Sequence, residues 1–492
     1  MTVGASIRFY NSMGRRAGEF SPLVPGRVGL YTCGLTVYAD PHLGNLRPYV
    51  FSDTLRRMLE WKGYAVTQVV NITDVGHTVG DVDLGADKVE EAAKAQLRSV
   101  QELTGHYAKL FYADLEQLNV LRHHHSPRAS EYVPRMIEFA KELDAHGYTY
   151  QLESGLYFDT ARSPGYGRLA LRPPGGGLER IEAMAGKRAQ ADFAVWRADL
   201  PGEQRVLHWD SPWSAGVPGW HLECSVMSMD LLGEHFDIHT GGVDHREIHH
   251  VNEIAQSEAY LQNGREWVPW WLHNEFLVLG GQKIAKSQGR MPTLRDLTGT
   301  GFHPMAYRYF LLTAHYRSQQ DLANAGLRAA AAAYRRLLGR VEPLRPLPAV
   351  TGLGAAQQLL GGTASAALDR IDRAISDDLN TPQALAELQR VVRDDTLTDK
   401  DKGVLVAVAD QLLGLRLGDL DGASVTGAVA ELAVSDEYVE QLIAQREEAR
   451  RAGDWATADR LRAQLAELGA AVVDTPAGSR WEPIELAGAD GD

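Results

Sequence analysis

At 492 residues, 44% hydrophobic and 23% charged, the chain has the composition of a soluble globular protein and room for about two to four domains. Two cysteines exclude a disulfide framework and suit a reducing cytoplasm; no run of about 18 apolar residues predicts a transmembrane helix, and the N-terminus lacks a charged-then-apolar signal pattern. A net charge of −14 argues against a general nucleic-acid binder without excluding one, because nucleic acid responds to local patches within about a Debye length.

Residues 28–33 read as a strand, 44–62 as a helix with Phe51, Leu55, Met58 and Leu59 on one face, and 65–71 as a second strand. Strand, helix, strand is a βαβ unit, which predicts a parallel sheet with a right-handed crossover and ligands at the carboxyl ends of its strands. A helical stretch near 85–120 follows, and 120–205 changes to short β-like pieces around a Pro-Gly-Gly-Gly loop, an insertion into the sheet domain. Residues 233–240 resume the sheet, the chain beyond about 300 is helical, and the proline-bearing 341–354 and the 418–434 segment read as linkers. The tail from Asp436 carries two helices, about 436–451 and 454–468, then a strand and a turn.

Both cysteines sit beside other ligand-type residues. Cys33 lies nine residues before His42-Leu-Gly44-Asn45, and Cys224 closes Trp220-His-Leu-Glu-Cys224, ahead of His249-His250-Val-Asn-Glu253. His249 and Glu253, four apart, share a helix face. Two thiolates, an imidazole and a carboxylate would satisfy a tetrahedral zinc ion. Spacing alone equally allows two small buried hydrophobes and a histidine-lined helix, since neither cysteine belongs to a CxxC pair. His123-His124-His125 is a rival cluster in a probable loop, put down to chance. His42-Leu-Gly44-Asn45 opens the first crossover helix, where free N–H groups and the macrodipole favour phosphate. Lys283-Ile-Ala-Lys286 after Gly280-Gly281 suits a phosphate clamp. Each of these two, alone, reads as well as an ordinary turn or a solvated loop.

Taken in order, the motifs resemble the class I aminoacyl-tRNA synthetases and, within them, the cysteinyl-tRNA synthetase family. HLGN stands where the family has HIGH, and KIAKS where it has KMSKS; GWHLEC (219–224), FDIHTGGVD (236–244), HHVNEIAQS (249–257), NITD (71–74), GKR…DF…W (186–196) and DWATADRLRAQL (454–465) are similar too. The resemblance spans nearly the whole chain. It implies a Rossmann-like α/β catalytic domain in two halves, 1–119 and 206–275, around a 120–205 connective insertion. A 276–325 KMSKS and stem-contact region, a 326–425 all-α bundle and a 426–492 anticodon-binding domain would follow. The implied zinc ligands are Cys33, Cys224, His249 and Glu253, one Zn2+ per chain. Thr73 and Trp220 would line the cysteine pocket. His42, Gly44, Asn45, Gly242, Asp244, Lys283 and Lys286 would bind ATP with its Mg2+, with His42, Asn45 and the two lysines acting in catalysis. Arg450, Trp455, Asp459 and Asp474 would read tRNA. The implied activity is ATP-dependent ligation of L-cysteine to tRNA(Cys), by a cytoplasmic monomer without membrane contact.

The chain departs from that pattern near the active site. Ile284 and Ala285 replace Met and Ser of KMSKS, His245–Ile248 replaces a more apolar run, and Asp74 is followed by Val-Gly-His. Two other readings are therefore kept: the related ligase that joins cysteine to a glucosaminyl-inositol amine in mycothiol synthesis, and a catalytically weakened paralogue. The intact tail argues against the first, the retained ligands and lysines against the second.

Overall fold

The segment predicted as a βαβ unit forms one: strand β1 (Arg27–Thr36), helix α1 (Leu43–Trp61) and strand β2 (Ala65–Thr73). The computed structural model describes residues 4–76, 87–170, 186–200, 205–278, 291–425, 436–467, 470–475 and 478–483. β1 and β2 pair in parallel and are buried over most of their length, as strands covered by helices on both faces must be. The sheet continues through β3 (Ile238–Gly242) and β4 (Trp270–Asn274), giving the all-parallel order β4-β3-β1-β2. Beyond β2, parallel bridges from Val69 to His125 and from Ile72 to Arg128 add one more edge segment.

That edge explains the three consecutive histidines. Their backbone follows β2, so successive side chains point different ways. The His124 Nδ1 accepts from the Gln68 N–H at 3.0 Å, whereas His123 is buried with neither ring nitrogen partnered, and burial pulls its pKa down to about 4. The run is structural rather than a metal cluster.

Between β2 and β3 the chain makes helices Lys88–Ala95, Val100–Gln117 and Ala129–Ala145. A five-stranded antiparallel sheet follows, built from 149–152, 155–158, 193–198, 215–218 and 209–210 in that spatial order. Helix α2 (Trp220–Leu232) leads back to β3, and α3 (His249–Leu261) links β3 to β4. After β4, the short strands Leu277–Val278 and Gln320–Asp321 pair in parallel, and five helices between Asn324 and Leu413 form a bundle. Helices α4 (Asp436–Arg451) and α5 (Trp455–Glu467) precede an antiparallel hairpin of Ala470–Thr475 and Gly478–Pro483. No helix of the described residues is long and apolar enough to cross a membrane.

The amphipathic reading of α1 holds for its predicted face, where Leu55, Met58 and Leu59 are fully buried, but Asp53, Arg56 and Arg57 are buried as well. The bundle helix Asp399–Leu413 covers that far side. A charge pair makes the burial tolerable. Asp53 receives the Arg57 Nε at 2.7 Å, the Leu121 N–H at 2.8 Å and the Arg308 guanidinium, which itself donates to the carbonyls of Leu413 and Leu118. Burial alone would raise the Asp53 pKa; Arg308 and Arg57 outweigh it and hold the carboxyl below its usual range.

Removing one member leaves the other charge sealed without compensation. Asp53→Ala is expected to lower stability by about 3–5 kcal/mol in urea unfolding. Lys94→Ala, which breaks the exposed pair with Glu91, should leave the curve unchanged.

Candidate functional site

The carboxyl ends of β1 and β2 are where the site begins. Between Thr32 and Leu35 the register of the two strands shifts. Gly34 makes the shift possible: a Cβ there would fall 1.5 Å from the Asn71 carbonyl oxygen. Its N–H donates to Asn71 Oδ1 at 2.8 Å, and Cys33 is carried into the interior. Cys224 comes from the second turn of α2, and His249 and Glu253 from one face of α3.

These four side chains converge. One ligand atom from each of Cys33, Cys224, His249 and Glu253 lies within 4.8 Å of the others, and all four residues are buried. Both cysteines are free thiols. Glu253 Oε1 has no hydrogen-bond partner even though His249 Nε2 stands 2.9 Å away. Donor atoms crowded together, sealed from water and without mutual hydrogen-bond geometry, are what a shared metal ion would satisfy. Two soft sulfurs, one nitrogen and one oxygen fit zinc.

The atoms turned away from that centre are held in place. His249 Nδ1 lies 2.9 Å from His221 Nδ1, and the Trp220 ring sits 4.2 Å from the His249 ring. Glu253 Oε2 meets His239 Nε2 at 2.9 Å. Cys33 Sγ is 3.1 Å from His250 Nε2, and the chain runs on from His250 Nδ1 to His273 at 2.8 Å and from His273 to Ser12 Oγ at 2.7 Å. Such outer contacts fix ligand orientation. His239 and His250, with Cys33 and Glu253, form a second overlapping group able to hold a metal. Sequence reasoning missed His221, His239, His250 and His273. Only their presence in the quoted GWHLEC, FDIHTGG and HHVNE segments, or just after β4 begins, was available as a signal.

The electrostatics favour charged ligands. Burial would raise the Cys224 thiol, but hydrogen bonds from Cys33 and His249 bring it down to about 6. Cys33 moves the other way, pushed up by burial and then by Cys224, so the two thiols share one proton. Burial also opposes charge on His249 and Glu253. The Glu253 carboxylate nevertheless lifts the imidazole to about 10, and His239 with His249 holds the carboxylate down at about 2. His250 and His273 are driven well below the usual imidazole range, first by burial and then by neighbouring charge.

A second group of predicted residues gathers at the start of α1. His42 is its N-cap: the ring Nδ1 accepts from the Asn45 N–H at 3.1 Å, while Asn45 Oδ1 receives the His42 N–H at 3.1 Å. The capping box satisfies two end donors of the helix and leaves the macrodipole facing outward. Leu43 N–H bonds to the Pro292 carbonyl at 2.8 Å, and His42 bridges Thr293. Arg47, one turn along, donates to the carbonyls of Phe276 and Ser318, each at 2.6 Å. Both flanks of the 279–290 segment are thus fixed to the first two turns of α1. Lys283 and Lys286 lie outside the described residues. Gly242 ends β3, and a Cβ there would meet Asp244 Oδ1 at 2.3 Å, so the exposed carboxylate lies over a position that only glycine can fill. Thr73 is buried at the end of β2, bonded to Asn71 and Glu223, and Trp220 is half-buried over His249.

The four residues predicted to read tRNA lie in the C-terminal unit. Arg450 is half-buried near the end of α4, and Trp455 opens α5 with 62% of its surface exposed. Asp459 is exposed one turn further along the same face. Asp474 lies in the hairpin, paired with Ser479. An exposed tryptophan beside a carboxylate is a surface able to stack on a base, not a core residue.

Comparison with known proteins agrees on both units. Residues 19–332 match the family described as tRNA synthetases class I (C) catalytic domain, and residues 435–481 match the cysteinyl-tRNA ligase anticodon binding domain. A cysteine–tRNA ligase of Zymomonas mobilis is 43% identical over 97% of this chain and 98% of its own length. One of Novosphingobium aromaticivorans is 44% identical over 97% of each chain, and one of Thermus thermophilus 40% identical over 96% of this chain and 98% of its own. Among solved structures, Mycobacterium tuberculosis methionyl-tRNA synthetase in complex with methionyl-adenylate superposes with a TM-score of 0.53 at 15% identity, covering 80% of this chain and 90% of its own, a likeness of fold.

Gly34→Ala forces a Cβ against backbone that cannot rotate away. Thermal unfolding is expected to show a loss of about 2 kcal/mol or more, whereas Gly354→Ala, with nothing within 4 Å of the new carbon, should be tolerated.

Proposed function

The chain belongs to the cysteine–tRNA ligase family of the class I aminoacyl-tRNA synthetases, and from that premise we propose that it is an ATP-dependent ligase joining L-cysteine to tRNA(Cys). The observation that carries the choice of amino acid is the buried convergence of Cys33, Cys224, His249 and Glu253 within 4.8 Å. These residues would hold a zinc ion. When bound, zinc supplies a soft centre that favours a thiolate over the hydroxyl of serine. Selection on that basis leaves no need for an editing domain.

The first step is attack by the cysteine carboxylate on the α-phosphorus of ATP, which expels pyrophosphate and forms cysteinyl-adenylate. No protein nucleophile is required; the chain works by positioning and by meeting developing charge. The free N–H end of α1, capped by His42 and Asn45 with Gly44 allowing close approach, faces the phosphates. Lys283 and Lys286 add positive charge there, alongside the Mg2+ that accompanies ATP. Gly242 and Asp244 take the adenosine, with the carboxylate accepting from ribose hydroxyls. Thr73 and Trp220 line the amino-acid pocket. In the second step a 3′-terminal hydroxyl of tRNA attacks the cysteinyl carbonyl and AMP leaves.

The C-terminal match supports tRNA, rather than a glucosaminyl-inositol amine, as the acceptor. Arg450, Trp455, Asp459 and Asp474 are assigned to the anticodon, where Trp455 can stack on an exposed base and the others can bond base edges. With this reading the domain limits follow the sequence division: catalytic halves 1–119 and 206–275, insertion 120–205, stem-contact region 276–325, bundle 326–425 and anticodon-binding unit 426–492. A cytoplasmic monomer is part of the same proposal.

The direct test offers the purified chain ATP and labelled cysteine, with cognate tRNA in one reaction and glucosaminyl-inositol in another. Label on tRNA is the expected result; label on the small amine would overturn the acceptor. Cys224→Ala should drop zinc content well below one per chain and cut cysteine-dependent ATP–pyrophosphate exchange at least about a hundredfold, equivalent to about 2.7 kcal/mol. Normal exchange in that variant would remove the zinc reading. Trp455→Ala should raise the apparent KM for tRNA about tenfold, the scale of one lost stacking contact, with exchange near normal. Equal loss of both activities would make Trp455 structural.

A further inference from the structure

The NITD and GWHLEC segments meet through a chain of side chains to which the proposed reaction gives no work beyond Thr73. Asn71 Oδ1 accepts from the backbone N–H of Gly34 at 2.8 Å. That partner can only donate, so the orientation of the amide is fixed. Asn71 Nδ2 consequently donates to Thr73 Oγ1, 3.1 Å away. One lone pair of the hydroxyl is taken, and its proton goes to Glu223 Oε2 at 3.1 Å. Asn71 and Glu223 are fully buried and Thr73 is 2% exposed. Glu223 Oε1 has no hydrogen-bond partner and lies where a Cβ on Gly76 would meet it at 3.1 Å. A carboxylate sealed from water with one oxygen unpaired is costly to a fold, and its retention calls for a reason.

A threonine hydroxyl has one proton and two lone pairs. With the proton committed to Glu223 and one lone pair to Asn71, the remaining lone pair can only accept. We infer that Asn71 and Glu223 are positioning residues that make Thr73 a dedicated acceptor for the α-ammonium group of the amino acid, with the Glu223 charge drawing that cation to the end of β2. The inference rests on the reading of L-cysteine as substrate. It gives the amino acid a direction: ammonium toward Thr73, thiol toward the four converging ligands, and carboxylate left to face the nucleotide. A ligand with the same thiol and carboxylate but no amine gains nothing from this chain of bonds.

The test compares L-cysteine with 3-mercaptopropionate by calorimetric titration of the zinc-loaded full chain, with zinc content measured for every variant. Glu223→Gln, with zinc retained, is expected to weaken L-cysteine about ten- to a hundredfold, the scale of a hydrogen bond involving a charged group, while 3-mercaptopropionate binds as before. Thr73→Val should erase the same preference and Thr73→Ser should keep it, so these two variants decide the matter if Glu223→Gln does not fold. Equal weakening of both ligands, unchanged cysteine binding in Glu223→Gln, or a preserved preference in Thr73→Val would each overturn the inference. A wild-type chain without cysteine-dependent ATP–pyrophosphate exchange would instead remove the substrate reading on which it stands.

Discussion

Holding two thiols, an imidazole and a carboxylate within 4.8 Å in a pocket closed to water is the constraint around which the sheet and its helices are arranged. Each ligand desolvates a group that would rather be hydrated, and each comes from a different turn of chain. The backbone answers first: Gly34 lets β1 and β2 approach until Asn71 caps the Gly34 N–H. The side chains answer next, with His221, His239 and His250 taking up the outward atoms of His249, Glu253 and Cys33. The sheet's carboxyl end thus becomes both the driest and the most polar part of the molecule.

The same end of the sheet hosts a site of opposite character. At the start of α1 the polar groups face outward, and the helix terminus is finished by its own capping box. A wet anion site and a dry sulfur site lie on either side of the βαβ crossover. A substrate that spans them has its carboxylate delivered to the phosphate side by geometry alone, which is the entropic part of catalysis.

How much of this the sequence disclosed depends on the kind of signal. The first βαβ unit was legible because apolar spacing reports a helix face directly, and the i, i+4 relation of His249 and Glu253 was legible for the same reason. Burial of Asp53 and Arg57 was not, because periodicity shows only the apolar face and Arg308 lies 255 residues away. His239 alternates along a strand whose neighbours are apolar, so nothing local marks it as a partner of Glu253. The three-histidine run was properly discounted as a metal site, but its role as a sheet edge depends on pairing with β2. Trp455 was ambiguous between packing and recognition, and its exposure follows from the fold of the C-terminal unit rather than from its spacing.

The contacts that join α1 to the bundle also set an order of events during synthesis. Asp53 leaves the ribosome 255 residues before Arg308 and still further ahead of the Leu413 carbonyl that Arg308 caps. The first strand waits longer: Ala5 and Tyr10 bond to Asp372 and Asp378, separations of 367 and 368 residues. Until those partners arrive, the sheet edge and the far face of α1 have no cover, and closing such long loops is slow. The catalytic half therefore cannot complete its fold as an early, independent module. It becomes whole only when the bundle is made, and the nascent chain depends on protection of its exposed apolar surface until then.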